Sequence, residues 1–472
     1  MTENTLTPPT PHIARLKAVR PLGRVSAVQG HSLCLSGLSG EARLGDRVRI
    51  DRGAGPLFGE VVQLEEGRTV VLPDEVPVGV ALGDSALLLD AATISPTTGW
   101  VGRVIDPFGN PLDGMPLAAD HTPYPLRAHP PAPAERRALG ARLETGMAAF
   151  NTLLPIVRGQ RLGLFAGSGV GKSSLLGHLG KNMQADLVVF ALIGERGREL
   201  REFVEKVLGP DGMRRAVIVA ATSDMSPLIR RRCAWAAMAV AEYFRDQGRH
   251  VLLLADSVTR FAEAHREVAT ASGEMPALRG YPASTSHMIM SLCERAGPGA
   301  GAAGDITALF SVLVAGSDMD EPVADILRGV LDGHVVLDRT IAERGRYPAI
   351  DLLRSVSRSL PAAASDDENA LIAQARARLG AYAASETMIR AGLYSEGSDP
   401  ELDQAVRIWP DLDAFLAESE PNTITDSFAR LGLILRRGAA TGRARRSEHG
   451  LPAPRQTTAR ATPHHAPKRS DP

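Results

Sequence analysis

The amino-acid sequence predicts an α/β protein in three structured parts: a small β-barrel, a parallel sheet covered by helices, and a helical region. Three textures predict it. Short β-rich runs broken by Gly, Asp, Glu and Pro fill the first part, a spacing that builds a small closed barrel. Continuous Val, Leu and Ile runs alternate with helical patterns in the middle, and strands without polar alternation are strands buried on both faces. An Ala-rich stretch with apolar residues on helical spacing comes last. At 472 residues the chain is too long for one core. It divides into a flexible N-terminal segment 1–22, a barrel 23–95, a central domain 96–364, a helical domain 365–438 and a disordered basic tail 439–472.

Each element follows from a quotable run. In the barrel region the strands are "RVSAV", "RVRI", "EVVQL", "RTVVLP" and "DSALLL". The central strands are "RLGLFA", "DLVVFALIG", "AVIVAAT", "HVLLLAD", "ITALFSVLVAG" and "HVVLDR". Helices are predicted in "DENALIAQARARLGAYAASETMIRAGLY", "SDPELDQAVRIW" and "TDSFARLGLILRR", the last two each opening on a capping residue. Beyond Gly438 the chain has many arginines, Pro, Thr and His, and no apolar period.

Composition excludes several classes. The 53 Lys and Arg nearly balance the 54 Asp and Glu, so neither a nucleic acid nor a membrane is demanded as partner. Cys34, Cys233 and Cys293 follow no disulfide or metal spacing and are read as reduced thiols of a cytoplasmic protein. The N-terminus "MTENTLTPPTPH" lacks a secretory pattern, and no apolar run approaches the ~20 residues that cross a membrane.

The chemistry starts at "AGSGVGKSS", between an apolar strand and a helical run. Its pattern is a P-loop: successive backbone N–H groups converge on phosphate oxygens at a helix N-terminus. The cradle runs from Gly167 through Ser168, Gly169, Val170 and Gly171 to Lys172, Ser173 and Ser174. Gly167, Gly169 and Gly171 are expected to give a positive-φ path, Lys172 to neutralise the β and γ phosphates, and Ser173 to ligate magnesium. Ala166 stands where the usual first glycine would be.

Two acids extend the reading. Asp256 ends the strand "HVLLLAD", where a carboxylate either caps the strand or, with a P-loop beside it, holds magnesium through water. Glu195 stands at the C-terminal end of the strand before "ERGRE", where sheets of this class place ligands, and could polarise an attacking water. The rival reading, which ranks second, makes it part of a charged first helical turn with Arg196, Arg198 and Glu199.

The blocks "GLFAGSGVGKS", "ALIGERGRE", "VLLLADSVTRFA", "LDGHVVLDR" and "RYPAIDLLRSVSR" resemble those of the hexameric ATPases of type III protein export, above all the flagellar ones. These are relatives of the catalytic subunits of rotary ATP synthases. "GRVIDPFGNPLDG" and "TGMAAFNTLLPIVRGQR" fit as well, and the similarity runs in order from Gly23 to Gly438. The resemblance implies a RecA-like central domain that hydrolyses ATP with Mg2+, Lys172 and Ser173 binding phosphate and metal, and Asp256 as the strand acid. Glu195 matches the catalytic glutamate, Arg196 and Arg260 match arginines near the terminal phosphate, and Tyr347 matches an aromatic that stacks on adenine. Arg358 matches an arginine finger inserted into the neighbouring subunit's site of a homohexamer; without the resemblance it would read as an arginine on a helix surface. The implied partners are a regulatory stator-like protein at the N-terminus, export chaperones and flagellar substrates, and a membrane export gate with which the cytoplasmic protein associates peripherally.

Two segments depart from the family. Ala283–Cys293, in "ASTSHMIMSLC", replaces the usual Pro-Ser-Val-Phe block, and the basic tail is an addition. "AGSGVGKS" with "GERGRE" is the export form of the loop rather than that of a rotary synthase, and the pattern of an RNA-binding terminator is missing. The flagellar system comes first and the injectisome second. A chaperone-docking module that binds nucleotide without turnover is the reading of another class, against which the set Lys172, Glu195, Asp256 and Arg358 speaks.

Overall fold

The computed structural model describes residues 19–117, 122–314, 319–419 and 423–448. Residues 1–18 of the expected N-terminal segment and 449–472 of the expected basic tail lie outside them. The first part is a closed antiparallel barrel of six strands: β1 (Leu22–Gln29), β2 (Ser32–Ser36), β3 (Asp46–Arg52), β4 (Gly55–Glu65), β5 (Arg68–Pro73) and β6 (Ser85–Ala91), in the order β1-β2-β5-β4-β3-β6. Val25, Leu33, Leu35, Val48, Ile50, Val61 and Val71 fill its interior. Closure leaves no sheet edge exposed. Only β2 lacks a predicted counterpart, because its short "SLCLS" carries little β-branched signal.

The central sheet runs through β7 (Val104–Ile105), β8 (Arg161–Ala166), β9 (Leu187–Glu195), β10 (Ala216–Thr222), β11 (His250–Asp256), β12 (Asp305–Leu313), β13 (Gly333–Leu337) and β14 (Ile350–Ser357), in the order β14-β13-β8-β12-β11-β9-β10-β7. From β13 to β7 neighbours are parallel. The interior strands are buried along nearly their whole length, as their unbroken apolar runs require. The two edge strands were not anticipated. β14 runs antiparallel to β13, after a helix of five residues, Arg339–Glu343.

Helices α1 (Lys172–Asn182), α2 (Pro227–Asp246), α3 (Val258–Ala271), α4 (Ser284–Arg295) and α5 (Pro322–Val330) belong to this central part. The atypical segment Ala283–Cys293 forms most of α4. After the sheet come α6 (Asp366–Arg390), α7 (Pro400–Ala417) and α8 (Ile424–Glu448). Ser365 and Glu368 close a capping box on α6, and Asp399 caps α7. Ile372, Leu379, Phe415 and Leu416 share one apolar core with Phe150 and Leu153 of the central part. The sequence reading ended helix at Gly438, but α8 continues to Glu448. Ala439, Ala440, Arg443, Ala444, Arg445 and Arg446 are strong helix formers that carry no apolar period, so a search for periodicity overlooks them.

The barrel is tied to the central part by a buried charge cluster. Glu60 on β4 accepts hydrogen bonds from Arg231 and Arg232 of α2, each at 3.1 Å, and from Arg127 at 3.2 Å. All three cysteines are free and buried.

Candidate active site

β8 is apolar to its last residue, and the chain then turns through the glycine loop into α1. Gly169 (φ 78°) and Gly171 (φ 84°) take the left-handed backbone that the turn demands. Gly167 does not, contrary to the sequence reading. A Cβ at Gly167 would meet only the Val314 carbonyl oxygen at 3.7 Å, an ordinary contact, because the loop has not yet left the strand's direction. Lys172 is the first residue of α1, so Lys172, Ser173 and Ser174 form the helix's opening turn with their amides unpaired by the helix itself.

This turn forms one wall of a cleft of about 990 Å³, bounded also by Gly194, Glu195, Arg196 and Arg260. Asp256, at the end of β11, is 4% exposed and faces a smaller adjoining cavity with Ser173 and Glu195. The Lys172 ammonium donates to Asp256 Oδ1, and the Ser311 hydroxyl donates to the same oxygen at 2.7 Å. Ser311 lies on β12, between the strands that bear the P-loop and Asp256. Sequence reading missed it, although a serine in the buried run "ITALFSVL" is a signal: a polar group there needs a partner.

Glu195 is aimed by a bulge. The pairing of β9 with β10 slips between Ile193 and Glu195, where Gly194 takes φ 70°. Burial pushes the Glu195 carboxyl up to about 7, the Asp256 charge and a hydrogen bond with Glu199 add to the rise, and Lys172 opposes it. A carboxyl there is near the point where it both accepts and releases a proton at neutral pH. Glu199, which sequence reading gave no role at the site, is thus part of its proton environment.

The remaining residues fall at different depths. Ser257 caps α3, accepting from the Arg260 amide at 3.3 Å. Arg260 pairs with Glu263 at 3.8 Å, while its Nε–H is buried without an acceptor among the described residues. The Arg196 side chain is 79% exposed and meets Glu199 at 3.4 Å, which puts it on the rim. The Tyr347 ring lies over Gly171, where an added Cβ would come within 3.1 Å of it, and the residue is half exposed. No residue of Ala283–Cys293 lines the cleft, although Arg279 and Tyr281 just before it do.

Arg358 is not brought to this site. Its amide donates to the Asp332 carbonyl and its Nη2 to the Arg328 carbonyl, each at 3.0 Å. Ser357 pairs with Gly333 at the start of β13, whereas Ala166 pairs with Leu337 at its end. Arg358 therefore follows a strand rather than standing on a helix, at the end of the sheet opposite the P-loop.

Residues 146–357 match the ATP synthase alpha/beta family, nucleotide-binding domain, and residues 364–432 match the T3SS EscN ATPase C-terminal domain. The chain is 46% identical to the flagellum-specific ATP synthase of Caulobacter vibrioides, over 90% of this chain and 98% of that one. It is 42% identical to that of Salmonella typhimurium, over 89% and 95%. The assembled ATPase EscN of the enteropathogenic E. coli type III secretion system superposes with a TM-score of 0.82 at 35% identity, covering 88% of this chain and all (100%) of that one. The same ATPase in complex with its central stalk EscO gives 0.80 at 35% identity, again over 88% of this chain and 100% of that one.

Proposed function

The chain belongs to the family of flagellum-specific ATP synthases, and on that premise we propose that it hydrolyses ATP to energise flagellar type III protein export. The observation that carries the chemistry is the meeting, in one cleft, of a positive-φ glycine loop, the opening turn of α1 and a carboxyl held near neutrality. The higher identity to flagellar relatives than to EscN favours the flagellum over the injectisome.

In the mechanism that this reading supports, the amides from Gly167 to Ser174 cradle the phosphates. Lys172 turns from Asp256 to the β and γ oxygens, so its charge is spent on a group that gains negative charge. Glu195 holds the attacking water and accepts its proton, and Tyr347 offers its exposed face to the base. The hydroxyl of Ser173 and the carboxylate of Asp256 are hard oxygen donors, the set that suits Mg2+. When bound, the metal would supply charge neutralisation at the phosphates. Arg196 and Arg260 add positive charge at the rim and wall.

Arg196, Arg260 and Arg279 line the cleft, whereas Arg358 sits at the opposite end of the sheet, where another subunit could use it. We therefore read the working form as a closed ring of six subunits, with Arg358 of the partner subunit completing each site. Chaperones and unfolded substrates meeting the C-terminal helices, a regulatory protein meeting the N-terminal segment, a membrane gate and a cytoplasmic location complete the proposal. The test is export itself: cells whose only copy carries Lys172→Ala are expected to make flagellin yet release little flagellin or hook protein into the medium. Purified Lys172→Ala protein should lose at least about a hundredfold in turnover. Normal secretion and swimming in that strain would refute the reading.

A further inference from the structure

The strand that delivers Arg358 is not held by sheet pairing alone. Along β14, Asp351 pairs with Val336 and Val356 with His334, so residues 352–355 stand against Val335 by itself. Such a bulge frees main-chain groups that the ladder would otherwise satisfy. The Asp351 carboxylate takes the Leu353 and Arg354 amides, at 3.1 and 3.2 Å, and His334 meets the Arg354 carbonyl at 3.0 Å. The Leu352 and Ser355 carbonyls are taken by one side chain from another element. Arg376 of α6 donates Nη1 to Leu352 at 3.2 Å and Nη2 to Ser355 at 3.2 Å, and Nη2 also reaches the Leu153 carbonyl at 3.3 Å.

Arg376 is partly buried, and burial works against its charge. Among the described residues no carboxylate pairs with it. A guanidinium kept in such a place without a counter-ion is there for its fork of donors, which fits carbonyls diverging from a bent strand as an ammonium could not. Three residues beyond Ser355, the chain reaches Arg358.

We propose that Arg376 is a positioning residue for Arg358: by fixing the bulge of β14 it sets where that guanidinium reaches the partner subunit's nucleotide, and it makes the C-terminal helices govern a site they do not touch. This rests on the reading of Arg358 as acting in trans. A shift of α6 that moves Arg376 would move the bulge, and with it the guanidinium offered to the neighbour.

The test uses the assembled full-length enzyme. Arg376→Gln is expected to bind ATP as the parent does, with KM within about twofold and kcat lowered about tenfold to a hundredfold, the range in which a misplacement of ~1 Å acts. Adding Lys172→Ala subunits, inactive themselves but with Arg358 and Arg376 intact, should raise the activity per Arg376→Gln subunit, because a correct neighbour then serves its site. Arg376→Lys should lie between parent and Arg376→Gln, and it carries the same mixing test if Arg376→Gln does not fold. If Lys172→Ala subunits rescue Arg358→Ala but merely dilute the Arg376 variants, or if kcat is unchanged, this inference is overturned. If Arg358→Ala itself is not rescued, the trans reading fails, and the inference with it.

Discussion

Glu195 is the residue whose environment makes the sharpest forecast. Its carboxyl is raised to about 7 by burial, by Asp256 and by Glu199, so in the nucleotide-free enzyme it loses its proton near neutrality. The kcat/KM profile should rise with pH through about 7, and Glu195→Gln should be nearly inactive with no such limb. The shift also has a sign for stability. A carboxyl with a raised folded pKa stabilises below its unfolded value, and that contribution is lost as pH rises from about 4.5 through about 7. Glu195→Gln is therefore expected to melt higher than the parent above pH about 8, with the difference vanishing at about pH 4, as a pair of thermal scans would show. The spacing of "AGSGVGKSS" and the strand ends at Asp256 and Glu195 were legible in the sequence because each is a local pattern. Ser311 was not, since only the register of β12 between β8 and β11 brings its hydroxyl to Asp256.

Among elements, the interior strands were the most readable, because burial on both faces leaves an unbroken apolar run. The edges were not: β7 is two residues long, and β14 mixes Asp, Arg and Ser with its apolar residues because half of it is bent away from the sheet. The joint between barrel and central part was equally silent, since Glu60 and Arg231 lie 171 positions apart. Its side chains are 7, 6 and 3% exposed for Glu60, Arg231 and Arg232. Glu60→Ala would leave two buried guanidinium groups without their acid, a loss of about 3–5 kcal/mol. Chemical denaturation should show that drop, and a fall under about 1 kcal/mol would mean that the cluster is hydrated or repaired by other groups.

For the whole molecule, the decisive feature is polarity. The P-loop and Arg358 occupy opposite ends of one sheet, and no sequence pattern could reveal this before the reversed direction of β14 was known. Turnover per subunit is thus expected to climb as protein concentration rises through the assembly range and then to level off. A flat profile across that range would mean that a lone chain completes its own site.

The same polarity has a meaning in genetics. Defects in this gene should sort into two complementation groups, one clustered around the glycine loop and one around the end of β14. A cell carrying a Lys172→Ala allele and an Arg358→Ala allele together would swim, though neither allele alone supports motility, because some neighbouring pairs would combine an intact loop with an intact guanidinium. Two alleles from the same group would not.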